Sequence, residues 1–137
     1  MKHAHAMVFC MAMSMLSAQV RPRGTVHIYR YRLTIGTAAH PTVSCDEFPV
    51  VRMQNGRVYT MIVSAGRHSF ATTGNPAGIA VDVEPGKEYF VRIDFQNASF
   101  GTSPIPVLVP TEQGLMETLK MRPLDKRYIE AATCGKP

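Results

Sequence analysis

Apolar and polar residues alternate over much of the chain, most clearly on either side of Pro85-Gly86. Ile79, Val81 and Val83 fall on one side of an extended backbone, with Ala80, Asp82 and Glu84 on the other. Beyond the turn Tyr89, Val91, Ile93 and Phe95 line up opposite Phe90, Arg92 and Asp94. A period of two marks a strand with one buried face. Pro85-Gly86 favours a type II turn, which matches strand twist poorly in a tight hairpin. The corner is therefore either a wider loop or a step from one sheet to another.

The same rhythm predicts further strands. From Thr25 to Arg32, Val26 and Ile28 share one face, and His27, Tyr29 and Tyr31 the other. A short run from Thr42 to Phe48 follows, and Pro49 limits it to a sheet edge or a bend. From Val50 to Val63, Asn55-Gly56 carries the strongest two-residue hairpin signal. That turn would pair Met53 with Val58 and Val51 with Thr60, leaving Arg52 and Tyr59 opposite. Ser64 to Arg67 reads as a turn into a strand from His68 to Thr72, and the loop from Thr73 to Gly78 leads on to Ile79. After Phe95 the rhythm lapses until Ile105 to Val109, a last short strand. From Thr111 to Met121 the spacing is helical, with Leu115, Met116 and Leu119 on one side, Thr111 as N-cap, and Gly114 weakening the centre. Pro123 ends it. Strands about ten residues apart with turn signals between them predict a mainly all-β chain, an antiparallel β-sandwich with one short C-terminal helix.

The first residues break this pattern. Lys2 precedes an uncharged apolar run from Met7 to Leu16, and Ser17-Ala18-Gln19 follows with small residues. That order is a secretory signal peptide, cleaved after Ala18. The run is about ten residues, where a bilayer span needs about 20. A buried N-terminal helix is the alternative, and Arg21-Pro-Arg-Gly24 argues against it as a break. Phe9 precedes Cys10 and the apolar run continues past it, so no lipid anchor is expected. The expected division is 1–18 signal peptide, 19–122 β-sandwich domain and 123–137 C-terminal tail, with a periplasmic or secreted location.

Composition agrees with a globular domain: 137 residues, 45% hydrophobic, 18% charged. The formal net charge is +5, with Lys and Arg scattered rather than clustered. That scatter speaks for solubility rather than nucleic-acid binding. After cleavage Cys45 and Cys134 remain, and an even pair in an exported protein reads as a disulfide, the alternative being two free thiols. No Cys-x-x-Cys, phosphate-cradling loop or nucleophile elbow occurs, so no cofactor is expected. His27, His40 and His68 show no metal-ligand spacing, and no metal site is expected; His68 reads as a turn residue.

The order of elements resembles a known family. The features that carry the likeness are Val26-His-Ile-Tyr-Arg-Tyr-Arg32, the Asn55-Gly56 turn, Val63-Ser-Ala-Gly-Arg-His-Ser-Phe70, Val83-Glu-Pro-Gly-Lys-Glu-Tyr-Phe-Val-Arg92 and a Leu-rich helix. Over about Thr25 to Arg122 the chain is similar to the domain of unknown function 2846 family of small exported bacterial proteins. The resemblance implies export and a sandwich like prealbumin or the carboxypeptidase regulatory domain; the family has no established activity to carry over.

Two functional readings follow. Tyr29, Tyr31 and Tyr59 with Arg92 would offer a binding surface for a protein, peptide or glycan, unless both sheet faces are buried or the helix covers them. Alternatively Asp82, Glu84, Glu88 and Asp94 would supply paired carboxylates for a small hydrolase, although such residues more often form the solvated face of a sheet. The non-enzymatic binding or envelope accessory module is the expected function.

Overall fold

A computed structural model describes residues 21–34, 39–99 and 101–135. The segment read as a signal peptide, with His3, His5 and Cys10, lies outside the described residues. Among the described residues nine strands form two sheets, with one short α-helix and a 3-10 turn. The strands are β1 (Arg23–Tyr29), β2 (Thr42–Cys45), β3 (Phe48–Arg52), β4 (Arg57–Ser64), β5 (Gly66–Thr72), β6 (Asn75–Val83), β7 (Glu88–Ala98), β8 (Gly101–Val109) and β9 (Arg122–Pro123). The helix α1 spans Thr111–Thr118. One sheet has the order β8-β7-β1-β4-β9 and the other β3-β2-β5-β6.

This is the expected all-β sandwich. Alternating apolar residues from both sheets meet between them: Val26, Ile28, Met61, Val63, Val91 and Ile93 from one, and Val43, Val50, Phe70, Val81 and Val83 from the other, each at most 3% exposed. Most pairings are antiparallel, but β1 runs parallel to β7 and β4 parallel to β9. The reason is the step at Pro85-Gly86. The chain leaves β6 in one sheet and enters β7 in the other, arriving beside β1 in the same direction. The alternating pair around that corner is thus two strands in separate layers.

The hairpin expected at Asn55-Gly56 is not formed. Gly56 has φ of 69°, but Asn55 is not among the positive-φ residues that a type I′ turn needs at both positions. The Asn55 amide is instead tied to Leu33, accepting from its N–H and donating to its carbonyl, both at 2.8 Å. The turn carries the chain between sheets, so Val58 pairs with Tyr29 and Met61 with Val26. Tyr59, opposite Ile28 in register, faces the core. The tight hairpin lies earlier, at Asp46-Glu47, with φ of 50° and 74° between β2 and β3. Pro49 sits in β3, an edge strand, where its missing N–H costs no ladder bond. Strand β7 continues to Ala98 and pairs with the whole of β8.

The helix lies on the outer side of the five-stranded sheet, but not by the face expected. Leu115, Met116 and Leu119 are 47–75% exposed. Gly114 is buried against Phe90, and Glu117, Thr118 and Met121 continue that side at helical spacing. Pro110, not Thr111, is the N-cap. Beneath the helix Tyr29, Phe90 and Val109 form a second apolar cluster, none more than 5% exposed.

Beyond the helix the chain stays on the body. Leu124 is buried in the main core, Ile129 bridges to Val51, and Cys134 closes the expected disulfide with Cys45. No helix among the described residues is long and apolar enough to cross a membrane.

Candidate functional site

The end of β1 builds the most polar enclosed region. Tyr29 is fully buried, and its ring meets those of Phe90 and Tyr31 edge-on, each at 6.3 Å. Its hydroxyl donates to Glu117 of α1. Arg92, beside Tyr29 in the parallel register, donates from Nη1 to both Glu117 oxygens at 2.9 and 3.1 Å. The same guanidinium grips Asp94 through Nε at 2.7 Å and Nη2 at 3.0 Å. It also lies 5.3 Å from the centre of the Tyr31 ring. Gln113 donates to Glu117 at 2.7 Å. Arg92, gripped bidentately by Asp94 on its own strand, thus joins helix and sheet by a charge-assisted hydrogen bond from Nη1 to Glu117 over an apolar cluster.

Burial works against the Glu117 carboxylate, but hydrogen bonds from Tyr29, Tyr31, Gln113 and Arg92 overcome it and hold its pKa down at about 2. Burial and the Glu117 carboxylate push the Tyr29 phenol up. Bonding to Asp94 keeps Arg92 protonated against its partial burial. Glu117 is therefore a fixed anion and Tyr29 a fixed donor near neutral pH. Their hydrogen bonds are spent on one another, so the clamp fixes the helix and its neighbours on the sheet.

Beside the clamp an open groove of about 920 Å³ runs between the end of β1, the Asn55-Gly56 turn and the end of α1. Tyr31, 39% exposed, and Met121 give it apolar surface. Arg32, Arg57, Lys120 and Arg122 line it, and Glu117 is its one carboxylate. Among the described residues none of these four cations is in an ion pair, and Arg57 reaches only the Pro123 carbonyl at 3.4 Å. The groove therefore presents uncompensated positive charge.

Of the residues expected to bind, Tyr29, Tyr31 and Arg92 come together here, but only Tyr31 is exposed. Tyr29 is covered by the helix, and Tyr59 lies on the inner face, donating to the Ala131 carbonyl at 3.3 Å. The groove cations sit far apart in sequence, and Arg57 meets Arg122 only through the parallel pairing of β4 with β9. No local signal marks that pairing.

The expected carboxylate pairs do not form. Strands β6 and β7 lie in different sheets, so Asp82 faces Arg67 across β5, Glu84 pairs with Lys87, Glu88 with His27 and Asp94 with Arg92.

A second polar cluster sits at the opposite corner. His68, 9% exposed, receives Asp46 Oδ2 2.6 Å from Nδ1, and its Nε2 lies 2.8 Å from the Ser64 carbonyl and 3.3 Å from Ser64 Oγ. The order of groups resembles a Ser-His-Asp triad. A carbonyl oxygen only accepts, however, so Nε2 carries a proton and cannot take one from Ser64 Oγ. The cluster ties two turns together, and the Cys45–Cys134 disulfide lies against it.

The fold and these two clusters define an all-β sandwich with a disulfide and a cationic groove. The chain matches no protein-family model, no curated protein and no solved structure.

Proposed function

We propose that this chain is an exported, non-enzymatic β-sandwich, an envelope accessory or secreted protein that binds an acidic glycan in the groove beside Tyr31. The carrying observation is four cations, Arg32, Arg57, Lys120 and Arg122, with no ion pair among the described residues, around one groove whose only carboxylate among those residues is already held by Arg92. Such a surface attracts anions and gives binding that weakens with salt. The exposed Tyr31 ring supplies a flat apolar face of the kind a sugar ring packs on, and the groove is open, as an extended polymer requires. A periplasmic or secreted location is supported by the leader-like N-terminus and by the Cys45–Cys134 disulfide. The likeness to the domain of unknown function 2846 family points the same way and forms part of the proposal.

The test is titration calorimetry with a uronic-acid oligosaccharide and its uncharged counterpart, at low and high salt. The acidic oligomer should bind and the neutral one should not. Arg32→Glu and Tyr31→Ala should each weaken binding about tenfold, and added salt should weaken it further. Equal binding of both oligomers, or an Arg32→Glu protein that binds as the parent does, would defeat the reading. Binding of an acidic peptide in place of the glycan would change the ligand class.

A further inference from the structure

Cys45, Asp46, His68 and Cys134 each place one ligand atom within 4.8 Å of the other three. They come from the end of β2, the β2–β3 turn, β5 and the C-terminal segment, so no sequence motif joins them. From this geometry we propose that when the Cys45–Cys134 disulfide is reduced, the two thiolates, His68 Nδ1 and Asp46 Oδ2 bind one Zn²⁺ tetrahedrally.

Two sulfurs, one imidazole and one carboxylate form a donor set that suits zinc. Bonds of about 2.0–2.3 Å place tetrahedral donors roughly 3.3–3.8 Å apart, so the site closes by shifts of about 1 Å. The outer contacts are already those of a ligand set. His68 Nε2 donates to the Ser64 carbonyl at 2.8 Å, which fixes the ring and leaves Nδ1 as the inward nitrogen. Asp46 Oδ1 accepts from the Ser69 N–H at 2.9 Å, which leaves Oδ2 turned towards His68. The metal replaces the Nδ1–H···Oδ2 bond. Entry is open: the Asp46 side chain is 34% exposed, and Cys134 and Ser64 line a cleft of about 450 Å³.

The chemistry balances. A phosphine gives two electrons to the disulfide, and its phosphorus takes the oxygen of one water to become a phosphine oxide. The two protons of that water end on the two sulfurs. Zinc then displaces both thiol protons and the Nδ1 proton, which pass to solvent. The same corner is thus cross-linked in both redox states, by a disulfide when oxidised and by a metal when reduced.

The experiment uses the full chain with Co²⁺ as the probe, with and without a phosphine. The reduced protein should bind one Co²⁺ with sulfur-to-cobalt charge-transfer absorption and the visible bands of a tetrahedral ion, and Zn²⁺ should displace it. The oxidised protein should show neither band. His68→Gln and Asp46→Asn should each weaken cobalt binding by about tenfold or more. Circular dichroism of the reduced protein should show the β signal retained or restored by Zn²⁺. A reduced chain that binds no cobalt, that binds it equally well in His68→Gln, or that stays unfolded with Zn²⁺ present would overturn the proposal.

Discussion

Gly114 of the helix rests on the ring of Phe90 so closely that a Cβ on Gly114 would come within 2.1 Å of the ring's Cγ. Helix propensity alone favours Gly114→Ala by about 1 kcal/mol. The methyl group would have to enter a buried seam, and overpacking costs about 1–3 kcal/mol. Phe90 is 1% exposed and held between Tyr29 and His27, so it cannot retreat. With Phe90 unable to give way the packing cost outweighs the propensity gain, so Gly114→Ala should lower stability by up to about 2 kcal/mol, read as a lower urea midpoint. A raised midpoint would mean that the helix does not sit on Phe90.

Glu117 makes stability depend on acid. Its folded pKa lies at about 2, below the ordinary 4.5. A depressed carboxylate contributes stability that is complete above its unfolded pKa and is lost as pH falls towards the folded one. The loss should therefore run from about pH 5 to pH 2 and reach at most about 3 kcal/mol. Glu117→Gln should be less stable than the parent at pH 7, and should lose this part of the acid dependence. Parallel stability–pH curves for the two proteins would count against the clamp.

Glu47 occupies the left-handed region at φ of 74° on an exposed turn. An L-residue there costs about 1–2 kcal/mol, and glycine removes that cost while adding about 0.4–1 kcal/mol of unfolded-state freedom. Relief wins, so Glu47→Gly should stabilise by about 0.5–1 kcal/mol, visible as a melting temperature raised by a few degrees. No gain would mean that the turn is not type I′.

The disulfide spans a sequence separation of 89 residues. Closing a loop of that length stabilises by about 4–5 kcal/mol on the chain-entropy argument, and measured losses run about 2–5 kcal/mol. Cys45→Ala combined with Cys134→Ala should fall in that range by denaturant unfolding under oxidising conditions. Part of the loss should appear as faster amide exchange at Gly135, whose N–H bonds the Cys45 carbonyl at 3.2 Å.

Much of the sandwich can be read from alternation alone. Val26 and Ile28, Val81 and Val83, and Val91 and Ile93 all point inward as their period requires. Their pairing partners are not legible, because the chain changes sheets at Asn55-Gly56, at Ala65 and at Pro85-Gly86. A turn dipeptide reports a change of direction and not which layer the next strand joins. Asp46-Glu47 carries no glycine to signal its turn; Asp46 holds its positive φ with a side-chain bond to Ser69. The helix turns Gly114 and Glu117 to the sheet rather than the leucines that spacing alone favours. Close backbone approach and an arginine partner decided the orientation instead. Of the expected binding tyrosines, only Tyr31, just past the end of β1, is exposed, and Arg57 meets Arg122 through a two-strand parallel contact with no sequence signature.

The threading of the strands has a kinetic consequence. The first strand is held between the fourth and the seventh, and an edge of the same layer is supplied by Arg122–Pro123 near the far end of the chain. The four-stranded layer has all its strands within residues 42–83, but the five-stranded layer that covers it cannot be completed until nearly the whole polypeptide is present. Distant pairings of this kind delay the nucleus and make assembly a single late event.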